Sequence, residues 1–305
     1  MATTSVTTEV IVGNPIITDV YTSDPAVLVH DGTAYLYTGH DEAEAGSADY
    51  LMRDWLCFSS TDLREWRAHG SPLAMTDFAW AADTGAKAGA VVERDGRFYW
   101  YVAVDRPDRP GGAIAVAVAD SPTGPFRDAR GSALVTDEQP YRTEFDHTID
   151  PAVIVVDGQA HLFWGKHRCF RAPLADSMTE LDGPIVEIDA AEVPGFQEGA
   201  HVHHRDGWFY LSYGYQFPQR VGYSRSRSVT GPWEFVGILN EVAGNCETNR
   251  PCPVEFDGEW FFFYHNGVLP GGGSRRRSVC VDRLHHRPDG LIERVRMTTE
   301  GLAVR

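Results

Sequence analysis

Five segments of this chain repeat one pattern: an apolar strand, an Asp-Gly pair, then an aromatic-rich strand. They are DPAVLVHDGTAYLYTG from Asp24, AGAVVERDGRFYWYVA from Ala88, DPAVIVVDGQAHLFWG from Asp150, EGAHVHHRDGWFYLSYG from Glu198 and RPCPVEFDGEWFFFYHN from Arg250. The Asp-Gly pairs begin at Asp31, Asp95, Asp157, Asp206 and Asp257, with separations of 64, 62, 49 and 51 residues. A tight hairpin turn needs positive φ, which Gly accepts without steric cost, so each pair predicts a β-hairpin. One such match is weak; five at blade-length spacing constrain the whole fold.

A second hairpin follows most of the first ones. Segments 115–129 (AVAVADSPTGPFRDA) and 221–237 (VGYSRSRSVTGPWEFVG) share strand, S-x-T-G-P-aromatic, strand, and 57–70 has the same layout with other turn residues. Two hairpins make a four-stranded blade, and five blades close a ring, so the chain is predicted to be an all-β five-bladed β-propeller. The blade hairpins fall near 24–40, 88–104, 150–166, 198–214 and 250–266. A β-sandwich has no period of this length, and long helical periodicity is absent. No linker or composition shift divides residues 1–305, which read as one catalytic domain. A chain of this length buries about three quarters of its unfolded surface, enough to stand without disulfides or metal.

The net charge of −16 narrows the partners. A field of that sign repels polyanions, so nucleic acid and anionic membrane are excluded as expected partners, whereas a neutral sugar is unaffected. The five cysteines have no zinc-type spacing and read as free thiols of a reducing compartment. The first twenty residues carry no basic segment followed by an apolar run, so a soluble, cytoplasmic protein is expected. Oligomeric state is not legible.

In a propeller the first strand of every blade lines the axial channel, so equivalent positions in different blades become neighbours. Counting back from each Asp-Gly pair leads to Asp24, Ala88, Asp150 and Arg250 at seven residues and to Glu198 at eight. Three of the five are acids. Each Asp-Pro alone is also a common turn device, but gathering three carboxylates costs stability through repulsion and desolvation. What such a cluster serves is acid–base chemistry on a bond between neutral partners. Glycoside hydrolysis needs one protonated carboxyl for the leaving oxygen and one ionised carboxylate for water or carbon, and close acids push their pKa values apart.

On these residues the chain resembles glycoside hydrolase family 43, inverting five-bladed propeller enzymes, and within it arabinoxylan arabinofuranohydrolases and β-xylosidases. The resemblance runs from about Asn14 to about Glu293 and rests on NPI (14–16), SDPAVLVHDGTAYLYTGHDE (23–42), DWLCFSSTDLREWRAHGSPL (54–73), ADSPTGPF (119–126), IDPAV (149–153), EGAHV (198–202), FFFYHNGVLPGGG (261–273) and RRSVCVD (276–282). It implies Asp24 as general base, Asp150 as pKa modulator and orienter, and Glu198 as general acid. Inversion then calls for Asp24 and Glu198 carboxyls roughly 6.5–9.5 Å apart. It further implies substrate contacts from Asn249 and Arg277 and a sugar-stacking role for Trp80. Against these stand surface solvation for Arg277, in a run of three arginines, and a buried structural role for Trp80. His265 matches the axial histidine that points at a calcium ion or its waters in the central channel; its alternative is a hydrogen-bonded core histidine. No organic cofactor is implied. Arg250 departs from the pattern, standing where relatives carry His, and brings a permanent cation to the acids.

The activity implied is exo-acting removal of α-L-arabinofuranosyl units from arabinoxylan-derived oligosaccharides, a neutral pentose-containing substrate. β-D-Xylosidase activity shares the chemistry, and a non-catalytic sugar-binding propeller is the alternative of another class. The absence of a carbohydrate-binding segment points to small oligosaccharides rather than insoluble polymer.

Overall fold

The computed structural model describes residues 13–137 and 148–303. All five Asp-Gly pairs form two-residue hairpin loops, with both residues at positive φ, from Asp31 (47°) and Gly32 (70°) to Asp257 (50°) and Gly258 (76°). Flanking residues pair directly, His30 with Thr33 and Phe256 with Glu259, for example. That is the mirror-image turn whose twist matches the strands it joins.

Each hairpin opens an antiparallel sheet, and there are five sheets among the described residues. Their innermost strands are Thr22–His30, Gly89–Arg94, Ala152–Val156, Phe196–Arg205 and Cys252–Phe256. Each innermost strand touches those of both neighbouring blades, and the fifth touches the first, so the sheets form a closed ring. The chain is a five-bladed β-propeller. Among the described residues no helix is long and apolar enough to cross a membrane.

Alternation along the strands builds the contacts between blades. Successive side chains point to opposite faces of a sheet, and in this ring the two faces belong to different neighbours. Tyr37 packs with Trp55 and Trp100 between blades one and two, while adjacent Leu36 packs with Phe58 and Phe263 between blades one and five. Trp100 and Tyr101 divide in the same way between blades one and three, and Phe262 and Phe263 between blades four and one. The five apolar clusters therefore correspond to the five interfaces. All five cysteines are buried and unpaired.

Among the described residues the first two blades have five strands and the fifth has three, against the expected four. The open edge of the fifth blade is met by the start of the chain. Ile16 N–H donates to the Val279 carbonyl at 2.9 Å, and the Asn14 amide accepts from Val281 N–H (2.8 Å) and donates to Val281 O (3.1 Å). The Asn14 side chain thus takes the place of a peptide group in the ladder and fastens the ring.

Candidate active site

Three of the innermost strands begin in an unusual way. Asp24 and Asp150, each followed by proline, hold φ of 50° and 55°. A non-glycine residue there stores strain of order 1 kcal/mol or more and persists only where its surroundings impose it. In the fourth blade the strand bulges on either side of Glu198, and the positive φ moves to Gly199 (71°). The first blade has the same bulge between Ser23 and Ala26, so the spacing of eight places Glu198 at the register of Ser23, with Gly199 at that of Asp24.

All three carboxyls line one cavity of about 580 Å³ at the channel mouth, together with Ala88 and Arg250 of the other two blades. The ring thus brings together all five residues found by counting back. Asp24 is met by Arg277, whose Nη1 donates to it at 3.1 Å. The same guanidinium is clamped by Asp41, Nε to Oδ2 at 2.8 Å and Nη2 to Oδ1 at 2.9 Å, and Arg277 N–H also donates to Asp41 Oδ2 at 2.9 Å. Burial alone would raise the Asp24 carboxyl, but the Arg277 guanidinium, joined by that of Arg250, outweighs it and holds the group below its ordinary value. Arg277 is buried at the site, not solvated on the surface.

Asp150 is pushed the other way, up to about 7. Burial is the main cause; Arg250, at 3.5 Å, opposes it, and the charges of Glu198 and Asp24 add to it. Arg250 crosses the axis from blade five, donating to the carbonyls of Gly89 (3.2 Å) and Pro151 (2.8 Å). Its cation therefore braces blades two and three and reaches the acids as well.

Glu198 accepts a 2.7 Å hydrogen bond from Gln219 Nε2 on Oε1, and its Oε2 lies 3.9 Å from Lys166 Nζ. Asn249 lines the cavity and is 1% exposed, and neither the nitrogen nor the oxygen of its side-chain amide has a hydrogen-bond partner. An unpaired buried amide costs about 1–3 kcal/mol, which a ligand hydroxyl bonding to it would recover. Tyr50 and Phe217 stand at the rim; both are exposed yet line the cavity. Arg275 covers the Tyr50 ring at 4.3 Å and donates to its hydroxyl at 3.3 Å.

Two expectations fare differently. Trp80 does not line the cavity: its indole N–H donates to Asp128 at 2.9 Å and its ring packs edge-on against Phe78. Of the Phe, Tyr and Trp side chains, those that line the cavity are Tyr50, covered by Arg275, and Phe217. His265 is buried with both nitrogens engaged. Nδ1 accepts Asp24 N–H at 3.1 Å, which leaves the ring proton on Nε2, facing the Thr248 carbonyl at 3.0 Å. Calcium seeks six to eight oxygen ligands, and a ring so occupied does not fit as one of its ligands. His265 nonetheless lines the cavity, beside Asp24.

Sequence reasoning missed Asp41, Tyr50, Lys166 and Gln219. Asp41 lies in GHDE, just past the first blade hairpin, so its proximity was a usable signal; the others occupy loops outside the repeat.

Comparison with known proteins agrees with this architecture. A family model described as Glycosyl hydrolases family 43 matches residues 12–292. An arabinoxylan arabinofuranohydrolase of Bacillus subtilis (strain 168) is 30% identical over 95% of this chain. The chain spans 65% of the length of that relative. Xylosidase/arabinosidase 43A of Humicola insolens is 28% identical, covering 91% of this chain and 98% of that one. Among solved structures, a β-xylosidase/α-arabinofuranosidase from a compost microbial metagenome, in complex with xylotriose and described as a calcium-free form, superposes with a TM-score of 0.83 at 27% identity. It covers 93% of this chain and 97% of that one.

Proposed function

The chain belongs to glycosyl hydrolases family 43, and on that premise we propose that it is an inverting, exo-acting glycosidase. The observation that carries this reading is the convergence of three carboxyls from three blades on one cavity, in opposed electrostatic states. Asp24, kept ionised by Arg277, is suited to be the general base. It takes a proton from water as the water oxygen bonds to the anomeric carbon. Glu198 is the general acid, passing its proton to the glycosidic oxygen as the carbon–oxygen bond breaks. Asp150, which gains or loses a proton near neutrality, sets the field felt by the other two and orients the sugar. Inversion needs roughly 6.5–9.5 Å between the Asp24 and Glu198 carboxyls to admit the water.

The substrate is a neutral oligosaccharide ending in a pentose. A cavity of about 580 Å³ lies in the range of small-ligand pockets, roughly 300–1,000 Å³, and suits a chain end better than the middle of a polymer. Asn249 offers unpaired donors and an acceptor to sugar hydroxyls, and Phe217, exposed at the rim, offers a stacking face to the leaving portion. Terminal α-L-arabinofuranosyl units are the leading choice, supported by likeness to the Bacillus arabinofuranohydrolase. β-D-Xylosides are the second reading, favoured by the structural neighbour that holds xylotriose. Kinetics on 4-nitrophenyl α-L-arabinofuranoside and β-D-xyloside separate the two: xyloside turnover far above arabinofuranoside turnover reverses the order. Sugar binding with no turnover of either would favour a non-catalytic propeller.

A further inference from the structure

Gln219 sits between strands Trp208–Tyr215 and Arg220–Ser226, at no position of the repeat, and is 2% exposed. Its backbone N–H is anchored to the Glu247 carbonyl at 2.8 Å. Its side-chain Oε1 accepts the backbone N–H of Asn249 at 2.8 Å. A backbone N–H can only donate, so the amide is locked in one orientation, with its NH₂ facing Glu198 Oε1 at 2.7 Å. Gly214 leaves room for this arrangement: a Cβ there would stand 2.7 Å from Gln219 Oε1.

The consequence concerns a single proton. An oxygen that already receives an N–H cannot also point an O–H back along the same line, so Glu198 Oε1 must act as acceptor. We propose that Gln219 is a positioning residue that reserves Oε2 of Glu198 as the oxygen that carries the proton delivered to the glycosidic oxygen. This rests on the reading of Glu198 as general acid. The proton leaves Oε2 as the bond to the leaving group breaks; Glu198 is left ionised, steadied by the Gln219 N–H, and is reprotonated from solvent. Through its other end Gln219 ties the acid to Asn249, so the proton donor and the unpaired amide of the cavity are held in one frame.

Leaving groups supply a test that a purely structural role would not pass. A glycoside of a strongly acidic phenol departs without a proton, whereas one of phenol itself needs it. The comparison uses 2,4-dinitrophenyl and phenyl glycosides of both α-L-arabinofuranose and β-D-xylose, with wild type, Glu198→Gln, Gln219→Met and Gln219→Glu. General acid catalysis contributes about 10²–10⁴-fold, so Gln219→Met should lower kcat on the phenyl glycoside roughly ten- to hundredfold and on the dinitrophenyl glycoside by no more than about threefold. Gln219→Glu keeps an oxygen for the Asn249 N–H, so the same selective loss in that variant separates the lost donor from a loosened loop. Equal losses on both leaving groups, or none, overturn the assignment of Gln219. If Glu198→Gln itself shows no leaving-group selectivity, the acid has been misassigned and the inference falls with it. Selectivity in Glu198→Gln but in neither Gln219 variant overturns the inference alone.

Discussion

The interfaces between blades and the mouth of the axial channel are built from the same fivefold repeat, used in opposite ways. At the interfaces the repeat is obeyed. Each blade sends aromatic and aliphatic side chains to one neighbour from even positions and to the other from odd ones, and the five clusters are alike in chemistry. At the mouth the equivalent positions hold Asp24, Ala88, Asp150, Glu198 and Arg250, two of the acids sit in strained backbone, and the side-chain amide of Asn249 is buried without partners. Regularity supplies stability, and the departures from it supply chemistry. The interfaces carry the cost of the strain and the buried charge at the mouth.

The sharpest separation of the two regions should come from Glu198→Gln. Its rate constant is expected to fall by about 10³-fold or more, in line with loss of a general acid, while the melting temperature stays near that of wild type. A comparable loss of stability would mean that Glu198 also holds the ring together. The converse substitution is Phe263→Ala, at the interface of blades five and one. Truncating a fully buried Phe costs about 3–5 kcal/mol, read as a lower denaturation midpoint, with kcat retained well below the unfolding transition.

Arg277 is where the regions meet, and Arg277→Met should affect both. Losing its contact with Asp24 raises that carboxyl and is expected to lower kcat roughly tenfold to hundredfold, the scale of a general base held in the wrong state. Leaving Asp41 buried without its cation costs about 3–5 kcal/mol of stability. Activity lost without any loss of stability would contradict the clamp geometry.

A further effect is a pH dependence of stability at Asp150. Its carboxyl is raised in the folded state from 3.8 to about 7. Between those values the folded protein binds more protons than the unfolded chain, so stability declines as pH rises through that window and levels off above it. Asp150→Asn removes this slope. The variant should gain melting temperature over wild type at pH 8 and lose the advantage toward pH 4; a constant difference across that range would rule out a raised Asp150. Asp24 acts in the opposite sense. Its lowered carboxyl contributes stability above the ordinary value, lost as pH falls through its folded value.

Most of the ring was legible because its turns leave a chemical mark. Positive φ at two successive residues demands Asp-Gly or its like, and the five pairs at Asp31, Asp95, Asp157, Asp206 and Asp257 therefore located the hairpins. Counting back from them reached the three acids, since positions at like distance from the turn stand at like height in the ring; the count of eight puts Glu198 one residue before the register of Asp24, where Gly199 takes the positive φ. Ring closure by Asn14 was not legible, because a side chain standing in for a peptide group carries no pattern. Nor were Gln219 and Tyr50, which reach the cavity from loops that obey no period. Trp80 failed for a related reason: its composition suits a sugar platform, but its N–H found Asp128 and its ring found Phe78. The resemblance names Arg277 as a substrate contact, whereas a run of three arginines alone reads as solvated surface; the pairing with Asp41, 236 residues away, decides that it turns inward.

The division of labour between Asp24 and Glu198 is most directly tested by the anomer first released. Proton NMR of the wild-type reaction on 4-nitrophenyl α-L-arabinofuranoside, followed before mutarotation, should show β-L-arabinofuranose appearing first, with the β-xyloside giving α-xylose. Initial release of the anomer with the substrate's own configuration would contradict water activation by Asp24 and, with it, the single-displacement account of this site.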